Sequence, residues 1–313
     1  MHDAAQDTDT RKTLPSLANV ARATNATNPE TTPTLPPSEL VVVGTGIQAL
    51  SQATLATQGA LRGADVVLFA VTNAWAARWI RDLNPRARSF DYPRDGRPRR
   101  EIYRAMVGEI VEALRRNRRV CAAFYGSAAL FTFPAHEGVR QARAQGFRAR
   151  MLPGVSSLDC LFADLGVDPG EGGCQIFEAT DFLVKKHAIN CRAHLVLFQL
   201  AMVGNHRTYQ ANDETTIRSG LLSLTAWLRE WYPADHPVVI YEAATTVFDA
   251  PRAEPIALGS LPNARISEVS SLYVPPIGSN AWDLPREDGG SGTAVVSSAS
   301  TARAKPDSIF YPA

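Results

Sequence analysis

Short, largely apolar runs alternate with longer stretches in which apolar residues recur every three or four positions, and this alternation fills the middle of the chain. Leu40-Val41-Val42-Val43 is the first run; others cover 65–71, 119–125 and 148–152. The spacing between them predicts helices over 51–63, 74–82, 99–116 and 135–145. Strands without polar alternation, divided by helices, predict a mostly parallel sheet with helices on both faces. Pro153-Gly154 then punctuates the chain. Beyond it, apolar runs at 194–200 and 237–242 bracket a helical stretch at 214–231. Shorter extended pieces follow at 266–269 and at Ser271-Leu272-Tyr273-Val274, which suits a mixed sheet. No internal repeat is visible. The expected class is α/β with two domains, 39–152 and 153–282. They are flanked by a disordered N-terminal tail, 1–38, and a flexible C-terminal tail, 283–313. Eight Thr and five Pro in the first tail, and Gly and Ser runs in the second, leave too little apolar surface to offset ordering entropy.

Composition narrows the function. Among 313 residues, 32 basic and 31 acidic side chains leave a formal charge of +1, so no global field points to nucleic acid or a membrane surface. No apolar run approaches the length of a membrane span, and the N-terminus has no signal-peptide pattern, which predicts a cytoplasmic protein. Cys121, Cys160, Cys174 and Cys191 lie at wide, unequal intervals without CxxC spacing. That predicts buried reduced thiols and no metal.

Three glycine or serine turns sit at predicted strand ends: Gly44-Thr45-Gly46, Tyr125-Gly126-Ser127-Ala128-Ala129 and Pro153-Gly154-Val155-Ser156-Ser157. Ligands bind at such ends in open α/β sheets, so together they favour a small-molecule site. Singly, a GxG is also a plain tight turn, and Ser after Gly also caps helices. Between Arg86 and Arg119 lie eleven arginines and five acids, interleaved with Tyr92 and Tyr103. Arg99 and Tyr103 are four apart, hence on one helix face, and an arginine beside a phenol is expected to lower the phenol's pKa. A solvated helix face is the plain alternative. Ile102, Met106, Ile110 and Leu114 step along the same helix and mark either a core face or a dimer face. His136, His194 and His206 have no ligand spacing.

These pieces resemble the tetrapyrrole-methylase superfamily: Gly44-Thr45-Gly46-Ile47, Phe124-Tyr125-Gly126, Arg150-Met151-Leu152-Pro153-Gly154-Val155-Ser156 and Phe162-Ala163-Asp164-Leu165-Gly166-Val167-Asp168-Pro169. More narrowly, they are similar to the borosin peptide α-N-methyltransferases of ribosomal peptide biosynthesis, especially the bacterial split type that acts on a separate precursor peptide. Further matches are Arg99-Arg100-Glu101-Ile102-Tyr103, Phe177-Glu178-Ala179-Thr180-Asp181-Phe182, Trp231-Tyr232-Pro233 and Ser271-Leu272-Tyr273-Val274-Pro275-Pro276.

The resemblance implies an S-adenosylmethionine-dependent enzyme with its cofactor in an interdomain cleft, S-adenosylhomocysteine as product, and an intertwined homodimer. It implies catalytic positions at Arg99, Tyr103 and Tyr125, with Tyr92 as a further tyrosine. Implied cofactor positions are Tyr125, Ser127, Leu130, Phe131, Ser156 and Ser157 in the first half and at the junction, with Gln199 and Ser271 beyond it. Gly44, Gly46 and Ile47 join them as the strand-end turn. A phenolate near Arg99 would take the amide proton while a second phenol or the guanidinium steadies the oxygen. One departure stands out: these enzymes usually have Gly-His-Pro-Gly where this chain has Gly126-Ser127-Ala128-Ala129, a turn that alanines tolerate if φ stays negative. Methylation of a tetrapyrrole carbon or an RNA ribose, and a catalytically silent peptide- or cofactor-binding relative, are the other readings.

Overall fold

The computed structural model describes residues 38–93, 95–205 and 214–278. The expected tails and His206 lie outside these, apart from Ser38 at the edge of the first tail.

Five strands form the first sheet: β1 (Glu39–Gly44), β2 (Val66–Ala70), β3 (Ala87–Ser89), β4 (Arg119–Phe124) and β5 (Arg148–Leu152). Their order is β3-β2-β4-β1-β5 and every pairing is parallel. Along β1, Leu40 and Val42 point to one core while Val41 and Val43 point to another, as the two-residue period of a strand requires. Helices α1 (Leu55–Gly63) and α2 (Ala74–Leu83) cover one face; α3 (Arg99–Arg116) and α4 (Phe133–Ala144) cover the other. Burial on both faces is why the central strands β1, β2 and β4 carry no polar alternation, whereas the edge strand β5 keeps exposed Arg148 and Arg150. The stripe Ile102, Met106, Ile110 and Leu114 of α3 is buried in the core, which settles it as a core face.

Helix α5 (Ser157–Leu165) leads to the second sheet. Its strands are β6 (Cys174–Glu178), β7 (His194–Phe198), β8 (Pro237–Glu242), β9 (Arg252–Ala257) and β10 (Ser271–Val274). The order is β6-β7-β10-β8-β9, with β6 and β7 parallel and the rest antiparallel, so the sheet is mixed as expected. Helices α6 (Ala179–Lys185) and α7 (Glu214–Leu228) pack with Leu195, Leu197, Ile240 and Leu272 on one face. The other face joins the first half of the chain, where Val196, Phe198, Tyr241 and Tyr273 share a core with α5 and with Ile47, Tyr125, Leu130 and Phe131.

Several expectations fail at this level. Residues 266–269 are not a strand, and β3, β6, β9, α5 and α6 were not anticipated. Strand β9 lies at a sheet edge and contains Pro255, which only an edge tolerates. All four cysteines are free, but only Cys121 is buried; Cys160, Cys174 and Cys191 are half-buried. Burial pushes the Cys121 thiol up to about 12.

Candidate active site

The site grows from three strand ends whose main chains touch. A Cβ on Gly44 would lie 2.3 Å from the Gly126 carbonyl oxygen, and one on Gly154 would lie 2.8 Å from the same atom. Gly46 and Gly126 exchange two hydrogen bonds: Gly46 N donates to Gly126 O (3.0 Å) and Gly126 N donates to Gly46 O (3.1 Å). Both have positive φ, 76° and 67°. Gly44 and Gly46 therefore build the floor rather than line the cleft, and the floor presents the turn at Ser127. In that turn neither Ala128 nor Ala129 has positive φ, so the departure from Gly-His-Pro-Gly folds without strain. A His136 ring nitrogen pairs with the Ala129 carbonyl (2.9 Å) and braces the same turn.

The cleft above this floor encloses about 590 Å³, including the solvent at its mouth. From the first sheet it takes Ile47, Tyr125, Ser127, Leu130 and Phe131; from the junction, Ser156 and Ser157; from the second sheet, Gln199 and Ser271. Nine of the eleven positions expected to hold a cofactor thus face one space. Phe198, Ala243, Glu268 and Val269 line it too and were missed, because a strand end or a turn in a mixed sheet carries no local motif. Phe131 and Gln199 hold left-handed backbones (φ 52° and 63°), conformations that non-glycine residues keep only where the surroundings enforce them. Ser156 is the N-cap of α5: its Oγ donates to Asp159 Oδ2 (2.7 Å) and accepts from Asp159 N (3.3 Å). Its hydroxyl is engaged in a capping box, while the helix N-terminus at Ser157 opens on the cleft.

Gln199 connects this space to a polar cluster. Arg99, the first residue of α3, donates through Nη1 to Gln199 Oε1 (3.3 Å) and through Nη2 to the Asn205 carbonyl (3.0 Å). Tyr103, one turn along, stacks on Phe133, with Tyr92 and Arg99 near enough to act on its hydroxyl. So Arg99, Tyr103 and Tyr92 converge as expected. Tyr125 enters the cleft from the end of β4, beside Cys160. The expected phenolate is not what this cluster favours. Burial pushes the Tyr103 hydroxyl above the usual range, outweighing the downward pull of Arg99, and Glu178 adds to the rise. Burial likewise raises Tyr125 far above the usual range. At neutral pH both are phenols, that is, hydrogen-bond donors. Glu178 is a further missed residue: it ends β6, and its Oε1 lies 4.0 Å from Arg99 Nη2.

Among the described residues, no three His, Cys, Asp or Glu side chains converge as a metal ion would need. No helix among them is long and apolar enough to cross a membrane.

The profile of the Tetrapyrrole (Corrin/Porphyrin) Methylases matches residues 39–257. A methyltransferase and ribosomally synthesized cyclic peptide dendrothelin A precursor from Dendrothele bispora is 35% identical over 245 residues, covering 77% of this chain and 58% of the relative. A methyltransferase and ribosomally synthesized type I borosin cyclic peptide precursor from Coprinopsis marcescibilis is 34% identical over 244 residues, covering 76% and 62%. The chain thus spans about three-fifths of these relatives, whose names join methyltransferase and precursor in one protein; a separate precursor has no counterpart in them. Among solved structures, uroporphyrin-III-C-methyltransferase from Thermus thermophilus superimposes with a TM-score of 0.57 at 18% identity, covering 80% of this chain and 98% of that one. The same enzyme complexed with S-adenosyl homocysteine gives 0.52 at 18% identity, covering 76% and 97%. At that identity the likeness carries the fold.

Proposed function

We propose that this chain, which belongs to the Tetrapyrrole (Corrin/Porphyrin) Methylases, is an S-adenosylmethionine-dependent methyltransferase acting on backbone amide nitrogens of a ribosomal precursor peptide. The observation that carries the reading is the junction itself. A cleft with a main-chain floor opens, through Gln199, on Arg99, Tyr103 and Tyr92.

The residues present fit such a cofactor. The glycine floor admits a ligand backbone-close, Ile47, Leu130 and Phe131 offer apolar walls, and the N-terminus of α5 with Ser157 suits a carboxylate. When bound, the cofactor supplies an electrophilic methyl group on a sulfonium sulfur. Ser127, Gln199 and Ser271 would hold it by their polar groups, with the apolar walls limiting access of water.

An amide nitrogen is a poor nucleophile because its lone pair is delocalised into the carbonyl. Arg99 and the protonated Tyr103 act on the carbonyl oxygen, donating hydrogen bonds that strengthen as that oxygen gains negative character. That oxygen gains its negative, imidate-like character as the N–H proton leaves to solvent water at the mouth of the cleft, so the nitrogen becomes nucleophilic without a resting phenolate. Tyr92 holds Tyr103 in place.

We place the acceptor on a separate peptide, following the resemblance of segments such as Arg99-Arg100-Glu101-Ile102-Tyr103 to the split type. The fused relatives favour the second reading, methylation of the protein's own chain. Mass spectrometry after incubation with the cofactor and a precursor peptide decides both. Additions of single methyl groups on the peptide, lost in Arg99→Ala and reduced about 100-fold or more in Tyr103→Phe, are expected. Methyl masses on the intact protein would transfer the reading to self-modification, and cofactor binding without any transfer would leave a silent relative. We also infer a cytoplasmic homodimer, which light scattering on the purified protein and cell fractionation test.

A further inference from the structure

Glu178 is split between two tasks. Its Oε2 accepts from Asp181 N (2.7 Å) and caps α6, whereas its Oε1 is buried without a hydrogen-bond partner among the described residues. A buried carboxylate oxygen left unpaired is costly, and it persists where a nearby charge or a ligand compensates it. The compensating charge here is Arg99, whose Nη2 stands 4.0 Å away, within ion-pair range but beyond hydrogen-bond reach. Arg99 is itself little exposed, its side chain at 12%, and it donates to neutral acceptors, Gln199 Oε1 and Asn205 O. The guanidinium therefore has neutral hydrogen-bond partners and, near the same Nη2, a counter-charge just beyond hydrogen-bond reach.

We propose that Glu178 is a positioning residue of this site: its buried Oε1 is the counter-charge that holds the Arg99 guanidinium beside the cleft and, with it, the Tyr103 and Tyr92 hydroxyls. The inference rests on the methyltransferase reading and deepens it. With Glu178 present the buried pair carries no net charge. A neutral acceptor such as an amide then approaches without meeting an uncompensated cation. A polycarboxylate such as a tetrapyrrole gains nothing from Arg99, whose charge is already answered. The same carboxylate acts on Tyr103, raising the tendency of its hydroxyl to stay protonated against the opposite pull of Arg99. Glu178 thereby adds to burial in keeping Tyr103 a donor.

Glu178→Gln is the test, because the amide oxygen can still cap α6 while the charge is gone. Three readouts are taken: ionisation of Tyr103 by ultraviolet absorbance, as the difference between each protein and its Tyr103→Phe counterpart; binding of S-adenosylhomocysteine by calorimetry; and the rate of peptide methylation. The expected result is Tyr103 ionising at lower pH than in the wild type, binding of the product unchanged, and a rate lowered about tenfold or more, the equivalent of one weakened charged hydrogen bond. An unshifted Tyr103 with an unchanged rate overturns the proposal. So does a rate loss that tracks a fall in melting temperature with Tyr103 unshifted, which would make Glu178 only a cap. Should Glu178→Gln not fold, Glu178→Asp keeps the charge and must leave Tyr103 ionising as in the wild type. If the wild type binds no product and methylates nothing while Tyr103 still shifts in Glu178→Gln, the function fails and the counter-charge stands.

Discussion

Tyr103 sits where burial and charge oppose one another, and burial wins. Its hydroxyl is a donor at neutral pH, and its loss belongs to pH values above the usual phenol range of about 10. The methylation rate should therefore stay level between about pH 7 and 9, with no rise toward 10 of the kind that a phenolate base would give. A pH–rate profile of the wild type checks this, and a tenfold rise over that range would restore the phenolate. Arg99 and Tyr103 were legible in the sequence because a helix brings residues four apart to one face. The direction of the Tyr103 shift was not, since it depends on how deeply the ring is packed against Phe133 and on Glu178, 75 positions along the chain. Glu178 was visible only as part of a family-like motif; an unpaired oxygen is a property of the folded arrangement and leaves no trace in spacing.

At the scale of elements, the strands buried on both faces and the long helix α3 were read correctly because each is dominated by its own periodicity. Elements whose stability comes from neighbours were not. Strand β9 carries Arg252, Glu254 and Pro255 and, at the sheet edge, has β8 as its one strand partner among the described residues. The stretch 266–269 has strand-like residues, but Ser267 Oγ accepts from Val269 N and Ser270 Oγ from Ser267 N, which fold it into a turn. Ser156 was read both as a ligand and as a cap, and it is a cap that also borders the cleft. Ser156→Ala should cost about 1 kcal/mol through loss of the capping box, read as a lower melting temperature. Gly44→Ala should act differently: its Cβ has no room against Gly126 O, so about 1–3 kcal/mol of overpacking is expected, together with loss of cofactor binding as the Ser127 turn is displaced. Calorimetry separates the two, because Ser156→Ala should bind nearly as the wild type does.

Across the whole molecule the two sheets meet at one apolar seam, and the cleft opens within it. Two histidines of the second sheet's surroundings make stability depend on acid. Burial lowers the pKa of His236, whose Nε2 pairs with the Pro275 carbonyl (3.0 Å), and of His194, whose Nδ1 pairs with the Tyr273 hydroxyl (2.7 Å). A folded pKa below the unfolded one means that the unfolded chain takes the proton first. Their contribution is therefore complete above about pH 6.5 and is lost as pH falls through the lowered folded values. Melting temperatures should decline below that pH, and His236→Gln should flatten the decline; an equally steep acid limb in that variant would remove His236 from the account. The interlocked glycines have an evolutionary consequence. A binding surface built from peptide groups offers natural selection nothing to exchange, so a saturation library at Gly44, Gly126 and Gly154 should yield blanks. New acceptor preferences in descendants of this protein would instead accumulate among the side chains around the rim.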